Sequence, residues 1–171
     1  MVLRILKYGE PVLEQPADLI KAFDTADLNE LIENMFETMY AAKGVGLAAP
    51  QVGVSQRVTV IDVSLGEDEA KRLVLINPEI VAREGSQVGE EGCLSIPGFR
   101  EPVTRANRVT VKAFSQKGEP IELEGEELLA RAFQHEIDHL NGKLFINHLS
   151  ALKRDIIRRK IKKLQKAGEW D

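Results

Sequence analysis

The residues best equipped for chemistry are His135-Glu136-Ile137-Asp138-His139. Two histidines four residues apart stand one turn apart on the same helix face, so their ring nitrogens can converge on one metal ion. Glu136 directly follows the first histidine. It falls beside the ion but off its axis, where it can hydrogen-bond a water on the metal without being a ligand. This is the spacing of metal-dependent peptide-bond chemistry. A purely structural role inside an apolar helix would be costly, at roughly 1–3 kcal/mol for each unsatisfied polar group, and a metal offsets that cost. An open catalytic site needs three protein ligands. An extended His-pair pattern would put the third at position 145, which is Phe145, and the only later carboxylates are Asp155, Glu169 and Asp171. Two candidates remain. His148 lies past Gly142 and is the weaker. Cys93, the single cysteine, lies in Gly89-Glu-Glu-Gly-Cys-Leu-Ser-Ile-Pro97, whose glycines let the backbone approach a site closely. A Cys/His/His set accepts Fe, Zn, Co or Ni.

These residues need elements to hold them. Leu28, Leu31, Ile32, Met35, Phe36, Met39 and Tyr40 recur at spacings of three and four after a capping Asp24 or Thr25, which predicts an amphipathic helix ending at Gly44 in the C′ position. The Gly- and Pro-rich run Gly44–Gly53 predicts a shaped loop or irregular extended segment. Strand-like runs follow at Arg57–Val63, Leu73–Ile76, Glu79–Arg83 and Val109–Phe114, then a turn at Gln116–Pro120 and a short strand near Ile121–Leu123. Glu126 to Leu140 reads as a second helix stopped by Gly142. Its Leu128, Leu129, Ala132, Phe133, Ile137 and Leu140 cover over half its circumference, as expected of a buried helix. Ser150 caps a third helix, Ala151 to about Ala167, with an apolar stripe of Leu152, Ile156, Ile157, Ile161 and Leu164. The order predicts an α+β fold in which antiparallel sheets surround one central buried metal-binding helix, with a C-terminal helix added.

Composition narrows the class. At 171 residues, 43% hydrophobic and 29% charged, the chain is expected to form one domain over 1–171 with a core that needs no disulfide. One cysteine excludes an internal disulfide. No apolar stretch reaches 18 residues, so no transmembrane helix is expected. The N-terminal apolar run is too short and interrupted for a signal peptide, so the expected setting is a reducing intracellular compartment. The net charge of −4 is uneven: eight basic residues face three acidic ones from Ser150 onward, leaving −9 on the rest. An acidic body argues against broad nucleic-acid binding, whereas the basic tail could contact something anionic.

Gly44-Val-Gly-Leu-Ala-Ala-Pro-Gln51, Glu91-Gly-Cys-Leu-Ser95 and Gln134-His-Glu-Ile-Asp-His139 together resemble, in order and spacing, the three signature motifs of the peptide deformylases. The resemblance covers nearly the whole chain. It implies removal of the formyl group from the N-terminal formyl-methionine of new proteins, in the bacterial cytoplasm or in an organelle of bacterial origin. By motif, Cys93, His135 and His139 would hold one divalent metal, Fe(II) in the native enzyme, with Zn, Ni or Co as substitutes. Glu136 would be general base and acid while a metal-activated hydroxide attacks the formyl carbon. Gln51 and the Leu94 N–H would donate to the oxyanion. Gly46 would pair with the substrate backbone. Val45, Leu128, Ala132 and His135 would border the methionine pocket, and Arg100 would lie near its mouth. Arg131 departs from the pattern, standing where many members carry an apolar residue, so it must reach solvent or line the cleft. Gln134 and Asp138 read as supporting or helix-surface residues rather than reactants. The partners implied are nascent formyl-Met polypeptides, no membrane, and the ribosome through helix 151–167. Competing readings are another zinc hydrolase such as an aminopeptidase or protease, a structural metal site closed by His148, and a ribosome-binding protein without chemistry, which rests only on the terminal helix.

Overall fold

Thr25 starts the first helix by accepting a hydrogen bond from the Leu28 N–H at 3.1 Å. The computed structural model, which describes residues 1–170, places helix α1 at Ala26–Ala41. Its end corrects the expected role of Gly44. Lys43, not Gly44, takes the left-handed position with φ of 58°, donating to the Tyr40 carbonyl, while Gly44 one residue on donates to Met39. Gly44 is needed for another reason: a Cβ there would meet Leu94 Cδ1 at 2.8 Å.

Seven strands follow: β1 (Gly46–Ala48), β2 (Val58–Ile61), β3 (Leu73–Glu84), β4 (Gln87–Cys93), β5 (Ile96–Arg105), β6 (Arg108–Phe114) and β7 (Pro120–Glu126). All pair antiparallel, in a five-stranded sheet of order β1-β2-β3-β6-β7 and a separate hairpin of β4 and β5. The two runs expected at Leu73–Ile76 and Glu79–Arg83 form one strand, bent by a bulge between Ile76 and Glu79. The Gly44–Gly53 segment is extended over β1 and then closes into a 3₁₀ turn at Ala49–Val52. The β4–β5 hairpin is the largest element absent from the sequence expectation.

Helix α2 (Glu127–Leu140) packs on β7, β1, β2 and β6. Its Ala130, Ala132, Phe133 and Ile137 share a buried cluster with Ile61, Leu75, Val109 and Val111. Each such large apolar side chain contributes about 1.5–3 kcal/mol on burial. The helix stops as expected. Gly142, with φ of 75°, donates to the His139 carbonyl and Lys143 to the Asp138 carbonyl. A Cβ on Gly142 would press on the Glu14 and Gln15 backbone at 2.9 Å, so the stop also locks the N-terminal segment against the helix that carries the histidines.

Ser150 caps helix α3 (Ala151–Lys166) by accepting from the Lys153 N–H at 3.2 Å. Ile157 and Ile161 are buried against Phe145, Leu149 and Trp170, and Leu164 is partly buried. The expected stripe is therefore narrower than read: Leu152 and Ile156 remain 71% and 43% exposed. At about 100° per residue they fall well round the helix from the Ile157–Ile161–Leu164 line. Among the described residues, no helix is long and apolar enough to cross a membrane.

Candidate active site

Cys93 ends β4, and His135 and His139 lie one turn apart on α2. Their potential ligand atoms all lie within 4.8 Å of one another. The His139 and His135 Nε2 atoms are 3.1 Å apart, and His139 Nε2 is 3.3 Å from Cys93 Sγ. His148 does not join them. Its Nε2 lies 2.8 Å from Asp138 and 3.2 Å from Arg105 Nη1, which removes it as a fourth ligand and with it the closed structural site.

The protonation pattern tests whether this set fits a cation. His135 Nδ1 is 2.7 Å from Glu91 Oε1, so Nδ1 carries a proton towards the carboxylate and Nε2 is the ring atom turned to the cluster. Cys93 Sγ accepts from the Ser95 N–H at 3.4 Å and from Gln51 Nε2 at 3.6 Å, contacts that hold the sulfur facing the histidines. Burial and the neighbouring His135 hold the His139 pKa well below the usual imidazole value. Burial opposes charge on His135 too, but Glu136, Cys93 and Glu91 around it outweigh that and raise its pKa well above the usual imidazole value, so the surroundings of Nε2 favour positive charge, which a cation bound there would supply in place of a proton. Glu136 Oε1 is buried with no hydrogen-bond partner. The potential ligand atoms thus converge, with a carboxylate oxygen lacking a hydrogen bond beside them, and the set fits a divalent metal.

Gln51 is aimed by its own turn. The Ala48 N–H donates to Gln51 Oε1 at 3.0 Å, which leaves Nε2 to reach Ser95 Oγ at 3.1 Å and Cys93 Sγ. Glu136 is buried, and that burial raises its pKa to about 7, with the attraction of His135 acting the other way. Gly46 allows this placement: a Cβ there would meet Glu136 Oε2 at 2.6 Å.

These groups lie along a cleft of about 540 Å³. It is lined by Val45, Gly46, Gln51, Cys93, Leu94, Leu128, Ala132, His135 and Glu136, with Arg100 and Glu90 also on its wall. The structure therefore brings every anticipated site residue except the deeper His139 onto one cleft. Leu128, expected on a helix buried all round, is instead 51% exposed within it.

Sequence reasoning missed the support beneath the site. Glu91 accepts two bonds from Arg105, at 2.9 and 2.6 Å, and one from Arg131 Nη1 at 2.6 Å, besides its contact with His135. Burial would raise the Glu91 pKa, but the bonds from Arg105 and His135 hold it far below the usual carboxylate range. Arg105 Nη1 also binds Asp138 at 2.7 Å. Gln134 accepts from the Ala106 N–H at 3.0 Å and donates to its carbonyl at 3.0 Å, pinning α2 to the β5–β6 turn. Glu91 stands two residues before Cys93, and two-residue periodicity on a recognised strand would have placed both on one face.

A cation site of one thiol and two imidazoles, with a free carboxylate and a cleft beside it, is the equipment of a metal-dependent hydrolase. Residues 2–155 match the family model described as polypeptide deformylase. The chain is 58% identical over 170 residues to a peptide deformylase of Acidobacterium capsulatum, covering 99% of each. The fold superposes with a TM-score of 0.91 on a crystal structure of a peptide deformylase from Legionella pneumophila, at 48% identity, covering 100% of this chain and 99% of that one. A Plasmodium falciparum peptide deformylase gives a TM-score of 0.88 at 34% identity, covering 96% of each chain. The chain belongs to the polypeptide deformylase family, enzymes that remove the N-formyl group from nascent peptides.

Proposed function

We propose that this chain, acting as a single catalytic domain over 1–171, hydrolyses the formyl amide of nascent formyl-methionyl polypeptides in a bacterial cytoplasm. Formate and a free methionine amine are released. The observation that carries the reading is the Cys93–His135–His139 cluster with the unpartnered Glu136 Oε1 on an open cleft. Those three residues would hold a divalent metal, Fe(II) in the cell, with Zn, Ni and Co accommodated by the same donors. When bound, the metal supplies Lewis acidity that brings water towards ionisation near neutral pH.

Glu136 takes the proton of the attacking water and delivers it to the departing amine nitrogen. Burial, which works to raise its pKa, favours return of the proton to the amine, while a neighbouring dication would favour its uptake from water. Negative charge grows on the formyl oxygen, and the donors for it are Gln51 Nε2 and the Leu94 N–H. Each such donor is typically worth about 2.7–4 kcal/mol. Ala48 already holds the Gln51 amide through Oε1, so its Nε2 need only exchange its longer contact with Cys93 Sγ for the oxyanion. Gly46, on edge strand β1, offers its backbone to an extended substrate. Val45, Leu128 and Ala132 enclose the methionine side chain, and Arg100 stands towards the cleft mouth.

The decisive assay is formate release by protein purified anaerobically with Fe(II), using formyl-Met and free-amine Met peptides side by side. Turnover of the formylated peptide alone is expected; cleavage of the free-amine peptide would mark an aminopeptidase. Each lost methylene in an apolar pocket costs roughly 1–3 kcal/mol. A formyl-Ala peptide should therefore show kcat/KM lower by at least about tenfold, and equal values would refute the pocket.

Helix α3 supports a further part of the reading, contact with the ribosome. Its exposed face carries Lys153, Arg159, Lys160, Lys162, Lys163 and Lys166, apart from the residues that dock it. Phosphate contacts release counterions, so binding of this kind weakens steeply with salt. Changing Arg159, Lys160 and Lys163 to Glu should abolish ribosome co-sedimentation at low salt while peptide turnover persists. Arg158 is left alone because its Nε donates to the Tyr8 hydroxyl at 3.0 Å. Unchanged co-sedimentation by the folded variant would remove the ribosome from the partners.

A further inference from the structure

Arg131 lies on the cleft wall, one residue before Ala132 of the methionine pocket, yet it is 8% exposed. It neither reaches out to solvent nor sits unpaired in the cleft. Its Nη1 donates to Glu91 Oε2 at 2.6 Å and to the Val103 carbonyl at 3.1 Å, and its Nη2 to Gln87 Oε1 at 3.3 Å. The backbone makes room for this. A Cβ on Gly89 would come within 3.2 Å of Nη2, tighter than ordinary contact, so glycine leaves the fork its space.

Glu91 is thereby closed on every side. Oε2 accepts from Arg105 Nε and Arg131 Nη1; Oε1 accepts from Arg105 Nη2 and faces His135 Nδ1. Arg105 alone would hold both oxygens by its fork but leave Oε2 one donor short, so the carboxylate and its fork could tilt together towards the side that Arg131 now closes. A swing of Glu91 would turn the His135 ring, because their 2.7 Å contact sets the ring's azimuth.

We propose that Arg131 is a positioning residue for the metal centre: through Glu91 it fixes the plane and tautomer of His135, so that Nε2 stays aimed at the Cys93–His139 pair. The inference rests on the proposed metallohydrolase reading of that cluster. It also resolves why an arginine can stand beside the apolar Leu128 and Ala132: its charge is directed to Glu91 behind the wall.

Removing partners behind a metal-binding histidine typically weakens metal affinity about 10–100-fold. The test compares wild type with Arg131→Met, Arg131→Gln and Arg131→Lys. Each is stripped with chelator and titrated with Ni(II) and Co(II) alone, with circular dichroism confirming the fold. Met and Gln should weaken both metals by about tenfold or more and alter the thiolate charge-transfer band of the Co(II) form. Lys, which can still reach Glu91 with one donor, should recover at least half of that loss on a logarithmic scale. At saturating metal, kcat should fall with KM for a formyl-Met peptide little changed. If the Met variant does not fold, the Gln variant decides. Wild-type affinity and spectrum in the folded loss variants overturn the proposal. So does a Lys variant no better than Met, since the effect would then follow the guanidinium's shape rather than its hold on Glu91. Absence of deformylase activity in the wild type would instead fail the functional reading and leave the affinity comparison intact.

Discussion

Replacing Glu136 with Gln should slow deformylation by about 10²–10⁴-fold while metal content stays at the wild-type level. The side chains are nearly isosteric, and the cluster is drawn from Cys93, His135 and His139 without Glu136. What disappears is a group able to take a proton from water and return it to the amine. Metal analysis beside formate assay checks this, and loss of metal by the variant would make Glu136 a ligand instead. The pH profile carries the same information. Burial raises the Glu136 pKa to about 7, and a neighbouring dication acts to lower it. Wild-type activity should therefore fall on the acid side as Glu136 protonates, and the Gln variant should lack that limb. The sign for stability is the reverse. A carboxyl raised by folding stabilises fully below its unfolded pKa, and that contribution is lost as pH rises towards about 7. In the chelator-stripped protein, the Gln variant should gain on wild type in urea midpoint between pH 5 and pH 8.

Replacing His139 with Ala should empty the metal site and reduce turnover to background, the largest loss expected of any single change. Cys93→Ala should behave the same way, whereas His148→Ala should keep its metal. Among the described residues the three-ligand cluster excludes His148, whose imidazole is engaged by Asp138 and Arg105. Metal-to-protein ratios after gel filtration decide the matter. A full complement in His139→Ala would mean that the cation sits elsewhere.

Much of the site could be read from the sequence because its chemistry is dense in one dimension. His135, Glu136 and His139 fall within five residues of a helix whose periodicity is plain. The same periodicity disclosed α1 and α3, and capping chemistry at Thr25, Ser150 and Gly142 set their ends. What escaped detection was chemistry assembled across the chain. Gly89, Gly92, Pro97, Gly98 and Pro102 read as loop, and Val88 and Glu90 face outward, so no apolar alternation announced β4 and β5. Charged residues read as surface, so nothing marked Glu91 as buried while its neighbour Glu90 is exposed. The partners that make the difference, Arg105 and Arg131, are 14 and 40 residues away. The terminal stripe was read too wide because apolar identity was counted without its angular position: Ile157 and Ile161 dock, while Leu152 points away.

The hairpin that supplies Cys93 shares no ladder with the sheet beneath α2. The thiol and the imidazoles therefore belong to two separately hydrogen-bonded pieces. A cation gripped by both acts as a rivet, and part of its binding free energy goes into suppressing the hairpin's local opening. Two ion pairs cross the same seam, Glu91 with Arg131 and Arg105 with Asp138, Glu91 and Arg105 lying on the hairpin and Arg131 and Asp138 on the helix. They close the seam before any rivet is set. With those pairs in place, the chain is expected to keep its hairpin seated when metal is withdrawn, so that reloading needs no refolding.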